Sequence, residues 1–271
     1  MEPMILFTDA DDTLLTPDKQ ITKANAEAVS RALEAGHRIV ITTGRALAAT
    51  LPLIRRLGLE REGCYAISFN GAQIWDCGKK KTVFRKALSQ EDTIWLFEEA
   101  EKAGIHCQAY DETSVISRRD NLNFQKYCEV QKIPGKLDPE IPYSLKEPTV
   151  KLLFIDYEKP ERAAAFRNHI MEQAGDRLSL FFSNPYYVEC VCAGISKGFA
   201  VHYLSELTGI PMSHTIAAGD SENDISMIRE AGIGCAVANA EEAVKKAADY
   251  ITERDCTDSA VAEIIERFML K

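Results

Sequence analysis

No segment of the chain approaches the roughly 18 uninterrupted apolar positions that a membrane-spanning helix requires, and the opening MEPMILFTDADDTLL holds only the short run MILF. A soluble protein without a targeting segment is expected. Positive charge is also scarce: 32 Lys and Arg face 41 Asp and Glu, a formal charge of -9. That balance argues against nucleic acid or an anionic membrane as the main partner, and a phosphorylated substrate would have to be attracted locally. The eight cysteines (Cys64, Cys77, Cys107, Cys128, Cys190, Cys192, Cys235, Cys256) lack CxxC spacing, so they point to neither a zinc site nor a disulfide framework and suit a reducing cytoplasm. Cys190 and Cys192 would share one face of a strand as small apolar residues. Trp75 and Trp95, the only two tryptophans, read as packing residues. There is no internal repeat and no low-complexity segment.

What is present is an alternation of strand and helix patterns, which predicts a parallel sheet covered by helices. MILFTDA reads as a strand. ITKANAEAVSRALEAG reads as a helix with Thr22 as N-cap and Gly36 as its stop, and HRIVITTG as a second strand. RALAATLPLIRRLGL resumes a helical pattern interrupted by Pro52, and CYAISFNGAQIWD reads as strands around an Asn-Gly turn. A second α/β unit begins near Lys86 with a helix capped by Ser89 and ended by Gly104. It continues to about residue 187, with KIPGKLDPEIPYSLKEP as a loop. The first pattern then returns. The expected fold class is α/β: a Rossmann-like parallel-sheet core of residues 1–84 and 188–271, with a smaller α/β domain, residues 85–187, inserted in it.

Ligands of such sheets bind beyond the carboxyl ends of the strands. Three predicted strand ends stand out. The first carries Asp9-Ala10-Asp11-Asp12-Thr13, the second Thr42-Thr43-Gly44-Arg45, and the third Gly219-Asp220-Ser221-Glu222-Asn223-Asp224. Each has a plain structural reading, as a turn, a strand-to-helix junction and a helix capped by Ser221 or Asp220. Together they offer clustered carboxylate oxygens of the kind Mg²⁺ prefers, beside a glycine turn suited to a phosphate. Repulsion among such carboxylates is costly without a cation, so the cluster calls for a metal.

Asp9-x-Asp11-x-Thr13, Thr43-Gly44-Arg45, Asn70-Gly71-Ala72, Lys197-Gly198 and Gly219-Asp220-x-x-Asn223-Asp224 occur in the order and rough spacing of the haloacid dehalogenase superfamily. Over essentially all 271 residues the chain resembles its Cof-type sugar-phosphatase branch, subclass IIB, which carries a large α/β cap. The resemblance implies Mg²⁺-dependent hydrolysis of small phosphate monoesters, sugar phosphates or phosphorylated cofactors such as pyridoxal phosphate, through a phosphoaspartate. It implies Asp9 as nucleophile and Asp11 as the acid and base. It places Ala10, Thr43, Gly44, Lys197 and Asn223 on the phosphate. The metal would be held by Asp9, by the main-chain carbonyl of Asp11 and by Asp220, with Asp224 behind them. The cap, with Arg118 and Arg119 as candidate contacts, would select the substrate. A phosphomutase of similar architecture and a non-catalytic regulatory protein on the same fold are the alternatives. Two positions depart from the pattern: Asp12 stands where Gly is usual, and DCTDSAVAEII replaces an ending that often has Asn and Gly.

Overall fold

The computed structural model describes residues 2–111 and 113–270. Ile5–Asp9 (β1) is buried throughout, as a strand flanked by parallel neighbours and covered on both faces must be. Its pleat sends Ile5 and Phe7 into one apolar cluster and Leu6 into another. The chain continues through α1 (Lys23–Glu34), β2 (Arg38–Thr42), α2 (Leu47–Arg56), β3 (Tyr65–Ser68), β4 (Gln73–Asp76) and β5 (Lys81–Arg85). A second unit comprises α3 (Gln90–Ala103), β6 (His106–Tyr110), β7 (Val115–Ser117), α4 (Leu122–Gln131), β8 (Gly135–Leu137), β9 (Leu152–Ile155), α5 (Pro160–Ala174), β10 (Leu178–Asn184) and β11 (Tyr187–Cys192). The last stretch holds α6 (Lys197–Thr208), β12 (Thr215–Gly219), α7 (Ile225–Glu230), β13 (Ile233–Ala236), α8 (Glu242–Ala247), β14 (Tyr250–Ile251) and α9 (Ala260–Phe268).

The eight strands of the first sheet run β14-β13-β12-β1-β2-β3-β4-β5, parallel from β14 to β3 and antiparallel in the β3-β4-β5 meander. Ala28, Val29 and Ala32 of α1 and Val261, Ile264 and Ile265 of α9 pack on the Leu6, Ile39 and Ile41 side. Ala200, Val201 and Leu204 of α6 and Met227 and Ile228 of α7 cover Ile5, Phe7 and Val40. The second sheet runs β10-β11-β9-β6-β7-β8. One face, with Leu152, Phe154, Val188 and Cys190, lies under α3 and α5. The other, with Leu153, Ile155, Tyr187 and Val191, packs with Phe124 and Tyr127 of α4 and with Ala46, Phe69 and Ala72 of the first unit. That second face looks toward the carboxyl ends of the first sheet.

The caps are those the residue types favour. Thr22 accepts a hydrogen bond from the Asn25 N–H at α1 and Ser89 one from Asp92 at α3, contacts each worth about 1 kcal/mol. Gly104 closes α3 in the left-handed conformation. Cys190 is fully buried, whereas Cys192, at the strand end, is half-buried. Trp75 and Trp95 both pack against apolar clusters.

The structure corrects three details. Pro52 does not interrupt α2: it lies on the exposed face, so its ring and the carbonyl that loses a donor turn toward water. The proline-rich loop contains β8, three exposed residues paired in parallel with β7. β11 belongs to the second sheet, paired with β9 and β10, so the chain returns to the first sheet after residue 192 and not at 188. Nothing in the apolar run YVECVC distinguishes one sheet from the other; its antiparallel partners do.

Candidate active site

Register assembles the site. On one side of β1, Asp9 lies opposite Thr42; on the other, Thr8 lies opposite Ala218, which brings Gly219 and Asp220 alongside Asp9. Asp9, Thr43-Gly44 and Asp220 thus meet at the carboxyl edge of the sheet. Lys197, the first residue of α6, is 1 % exposed, and its Nζ donates to Asp9 Oδ1 at 2.5 Å and Asp224 Oδ1 at 2.6 Å. Ser196 caps that helix by accepting from the Phe199 N–H. The Asn-Gly turn after β3 explains itself here: Gly71 has φ 107, and a Cβ on it would come within 2.3 Å of the Ser196 carbonyl oxygen. The Asn70-Gly71 motif is therefore the seat of the helix start that carries Lys197.

Asp224 has two duties. Its Oδ1 faces Lys197, while its Oδ2 accepts from the backbone N–H groups of Asp220 and Ser221 at 2.9 and 3.1 Å. Ser221 is the N-cap in a reciprocal capping box with Asp224, so the capped-helix reading holds alongside the chemical one. With both oxygens engaged, Asp224 suits support of a metal site better than direct ligation. Asp220 accepts from Thr13 Oγ1 at 2.7 Å and Ser221 Oγ at 2.8 Å. Oxygens of Asp9, Asp220 and Asp224 lie within 4.8 Å of one another.

The electrostatics suit a site for a cation. Burial, with repulsion from Asp224, Asp220 and Asp11, raises the Asp9 pKa well above the ordinary carboxylate value although Lys197 pulls it down. Burial and the Asp224 charge push Asp220 up to about 7 against the pull of Thr13, Ser221 and Lys197. Lys197 itself is held protonated, because Asp224 and Asp9 outweigh the cost of its burial. Hard, crowded carboxylate oxygens of this kind are what Mg²⁺ takes as ligands.

Asp11 behaves differently. Burial would raise its pKa, but the Arg45 guanidinium, which forks onto both carboxylate oxygens, and Lys19 at 2.7 Å bring it below the ordinary value. Asp12 has φ 56, the left-handed conformation that accounts for glycine being usual there and that Asp tolerates better than most residues. Asn239 bridges its carbonyl at 2.7 Å to the N–H of Cys256, tying the Asp12 turn to the divergent C-terminal ending. In that ending Ser259 takes φ 72 immediately before α9.

A cavity of about 170 Å³ lies over Asp9, walled by the three strand ends and, from the second unit, by Tyr127, Gln131, Asn184, Tyr187, Lys151 and Glu189. Thr43 and Gly44 line it; the Thr43 hydroxyl accepts from the Arg45 N–H and keeps its own proton to donate. Asn223 also lines it, its amide donating to Asn70 Oδ1 at 3.0 Å. Ala10 is buried immediately after Asp9. Arg118 and Arg119 lie elsewhere: both pair with Glu101, and Arg118 sits over the Phe97 ring, so neither reaches the cavity. Sequence reasoning assigned no role to Arg45, Lys19, Lys151, Glu189 or Tyr127. Lys151 and Glu189 did carry a signal, since each is a charge inside an otherwise apolar strand pattern, TVKLLF and YVECV, where ionised side chains are rare unless paired.

A sequence model of haloacid dehalogenase-like hydrolases matches residues 6–265. The chain belongs to that family. It is 30 % identical over 98 % of its length to the 5-amino-6-(5-phospho-D-ribitylamino)uracil phosphatase YcsE of Bacillus subtilis, of which the match covers 96 %. It is 29 % identical to the pyridoxal phosphate phosphatase YbhA of Escherichia coli, covering 98 % of each chain. A crystal structure of a haloacid dehalogenase-like hydrolase from Bacteroides thetaiotaomicron superimposes with a TM-score of 0.88 at 30 % identity, covering 98 % of this chain and 99 % of that one. The fold is shared with a subclass IIB sugar phosphatase of the same superfamily, whose structure superimposes with a TM-score of 0.84 at 23 % identity, covering 98 % of each chain.

Proposed function

We propose that this haloacid dehalogenase-like phosphatase hydrolyses small phosphate monoesters in a Mg²⁺-dependent reaction with Asp9 as nucleophile. The observation that carries the reading is Asp9 itself: a buried carboxylate at the end of the central strand, paired with a buried lysine, facing Asp220 and opening into a cavity between the two units. An Asp9 oxygen attacks phosphorus, the ester oxygen departs with a proton from Asp11, and a phosphoaspartate remains. Water then attacks phosphorus, Asp11 takes its proton, and inorganic phosphate leaves Asp9 free. Before substrate arrives Asp11 is held ionised by Arg45 and Lys19, the form needed to activate water. The negative charge of an incoming phosphate raises its proton affinity for the first step.

Asp9, Asp220 and the Asp11 carbonyl would hold Mg²⁺, with Asp224 behind them; bound there, the ion neutralises charge on the phosphoryl group. Thr43, Gly44, Lys197, Asn223 and the backbone at Ala10 receive the phosphoryl oxygens. Substrates are small phosphorylated metabolites, sugar phosphates or phosphorylated cofactors, a class supported by the names of YcsE and YbhA. A panel of phosphate esters tests the reading: phosphate release should require Mg²⁺ and vanish in Asp9→Asn. Metal-independent turnover would refute it, and interconversion of isomeric sugar phosphates faster than phosphate release would identify a mutase.

A further inference from the structure

Lys151 immediately precedes β9 and Glu189 lies within the adjacent β11 of the second sheet, yet their charged groups reach into the first unit. Lys151 is 1 % exposed and Glu189 4 %. The Lys151 ammonium donates to Glu189 Oε2 at 2.9 Å and to the Gly44 carbonyl oxygen at 2.6 Å. Glu189 Oε2 also accepts from the Asn70 amide at 2.6 Å, and Asn70 Oδ1 accepts from Asn223 at 3.0 Å. One buried ion pair therefore links the phosphate turn at Gly44, the Asn70-Gly71 turn and the acidic loop after β12. The fit is reciprocal. A Cβ on Gly44 would lie 2.9 Å from Glu189 Oε1 and 3.1 Å from the Asn70 amide nitrogen, so the absent side chain at that turn makes room for a carboxylate from the second sheet.

We infer that Lys151 and Glu189 are positioning residues: the second sheet supplies them to fix the Thr43-Gly44 turn and Asn223 in their phosphate-receiving arrangement. The inference rests on the proposed phosphate site at that turn. A purely stabilising role is a poor account of the pair. Its surroundings include the faces of Tyr110 and Phe69, with Lys151 Nζ 4.6 and 5.6 Å from their ring centroids, and a buried ion pair in such a place adds no more stability than well-packed apolar residues would. What apolar residues cannot do is hold a turn carbonyl and an asparagine amide together. The contacts exist only while the two sheets are apposed, so the phosphate turn is complete only when the second sheet sits over it. Because neither group discriminates among leaving groups, they serve every substrate equally.

The test uses the full-length enzyme, p-nitrophenyl phosphate, one sugar phosphate and inorganic phosphate as competitor. In the double variant Lys151→Met/Glu189→Leu the buried Asn70 amide and the Gly44 carbonyl lose their partners, so the protein should melt below wild type yet stay folded at the assay temperature, as its melting curve will show. KM for both esters and the inhibition constant of phosphate should nevertheless rise by a common factor of about 10 to 100, the worth of lost hydrogen bonds to charged groups. Glu189→Gln, which retains an acceptor for Asn70 and Lys151, should recover most of that loss. A double variant that folds and binds phosphate as tightly as wild type overturns the inference, as does a loss confined to one ester. Wild-type enzyme that hydrolyses no ester at all would instead remove the phosphatase reading beneath it.

Discussion

The first sheet offers the cavity its strand ends, and the second offers one face. At the strand ends polar groups are dense and mutually committed: Asp9 with Lys197, Asp11 with Arg45, Asp220 with Thr13, Asp224 with its own turn. The facing surface of the second unit is sparser, with tyrosines, Gln131 and Asn184 around a single buried ion pair. Parallel strands end together because their register holds them so, and a loop leaving each end can carry reactive groups at no cost to the core. A sheet face has no such freedom, because each side chain there also packs. On the proposed reading, the chemistry sits on the first unit and the shaping of the cavity on the second.

Variants that strike the two regions should differ in kind. Asp11→Asn, on the first unit, should lower kcat for every substrate by about 10²- to 10⁴-fold, the usual contribution of a general acid–base, while leaving Mg²⁺ binding intact. Equal loss of metal affinity would mean that its side chain, and not only its carbonyl, serves the metal. Asn184→Ala or Gln131→Ala, on the second unit, should change the ratio of kcat/KM between two sugar phosphates by about tenfold and spare p-nitrophenyl phosphate. A uniform loss across substrates in these two variants would break the division between the units, to which the buried Lys151–Glu189 pair, reaching into the phosphate turn, is the exception.

Metal linkage comes next in size. The Asp9 and Asp220 pKa values are raised in the folded protein, Asp220 to about 7 from an ordinary 3.8. Without metal their contribution to stability is complete below that ordinary value and is lost as pH rises toward 7. Melting temperatures of the metal-free protein should fall across that window, and saturating Mg²⁺ should remove the fall by favouring the ionised carboxylates. The smallest effect is expected at Asp12. Asp12→Gly relieves a left-handed residue but frees the unfolded chain, so stability should shift by less than about 1 kcal/mol. A larger shift, or altered Mg²⁺ affinity, would give the Asp12 carboxylate a role in the site.

The same contrast decides what could be read from the sequence. Asp9, Thr43-Gly44, Lys197 and Asp220 lie where a strand pattern stops and a turn or cap begins, and punctuation of that kind survives in one dimension. The α/β class and most element positions were legible for a similar reason, since burial imposes an apolar period. β8 was not, because three exposed residues paired only through their backbone leave no pattern. Nor was the sheet that owns β11, since pairing partners are set by distant residues. Arg45 stood in a quoted motif, but its partnership with Asp11 depends on how two loops face each other. Arg118 and Arg119 show the converse error: adjacent arginines look available in the sequence and are spent on Glu101 in the fold.

The proposed reaction turns on Asp9 accepting the phosphoryl group. Acid quench of the enzyme during turnover of a phosphate ester with Mg²⁺, followed by peptide mapping by mass spectrometry, tests this directly. A phosphoryl adduct on Asp9, absent in Asp9→Asn and absent without Mg²⁺, is the predicted result. Turnover that persists in Asp9→Asn, or an adduct on another residue, would contradict it.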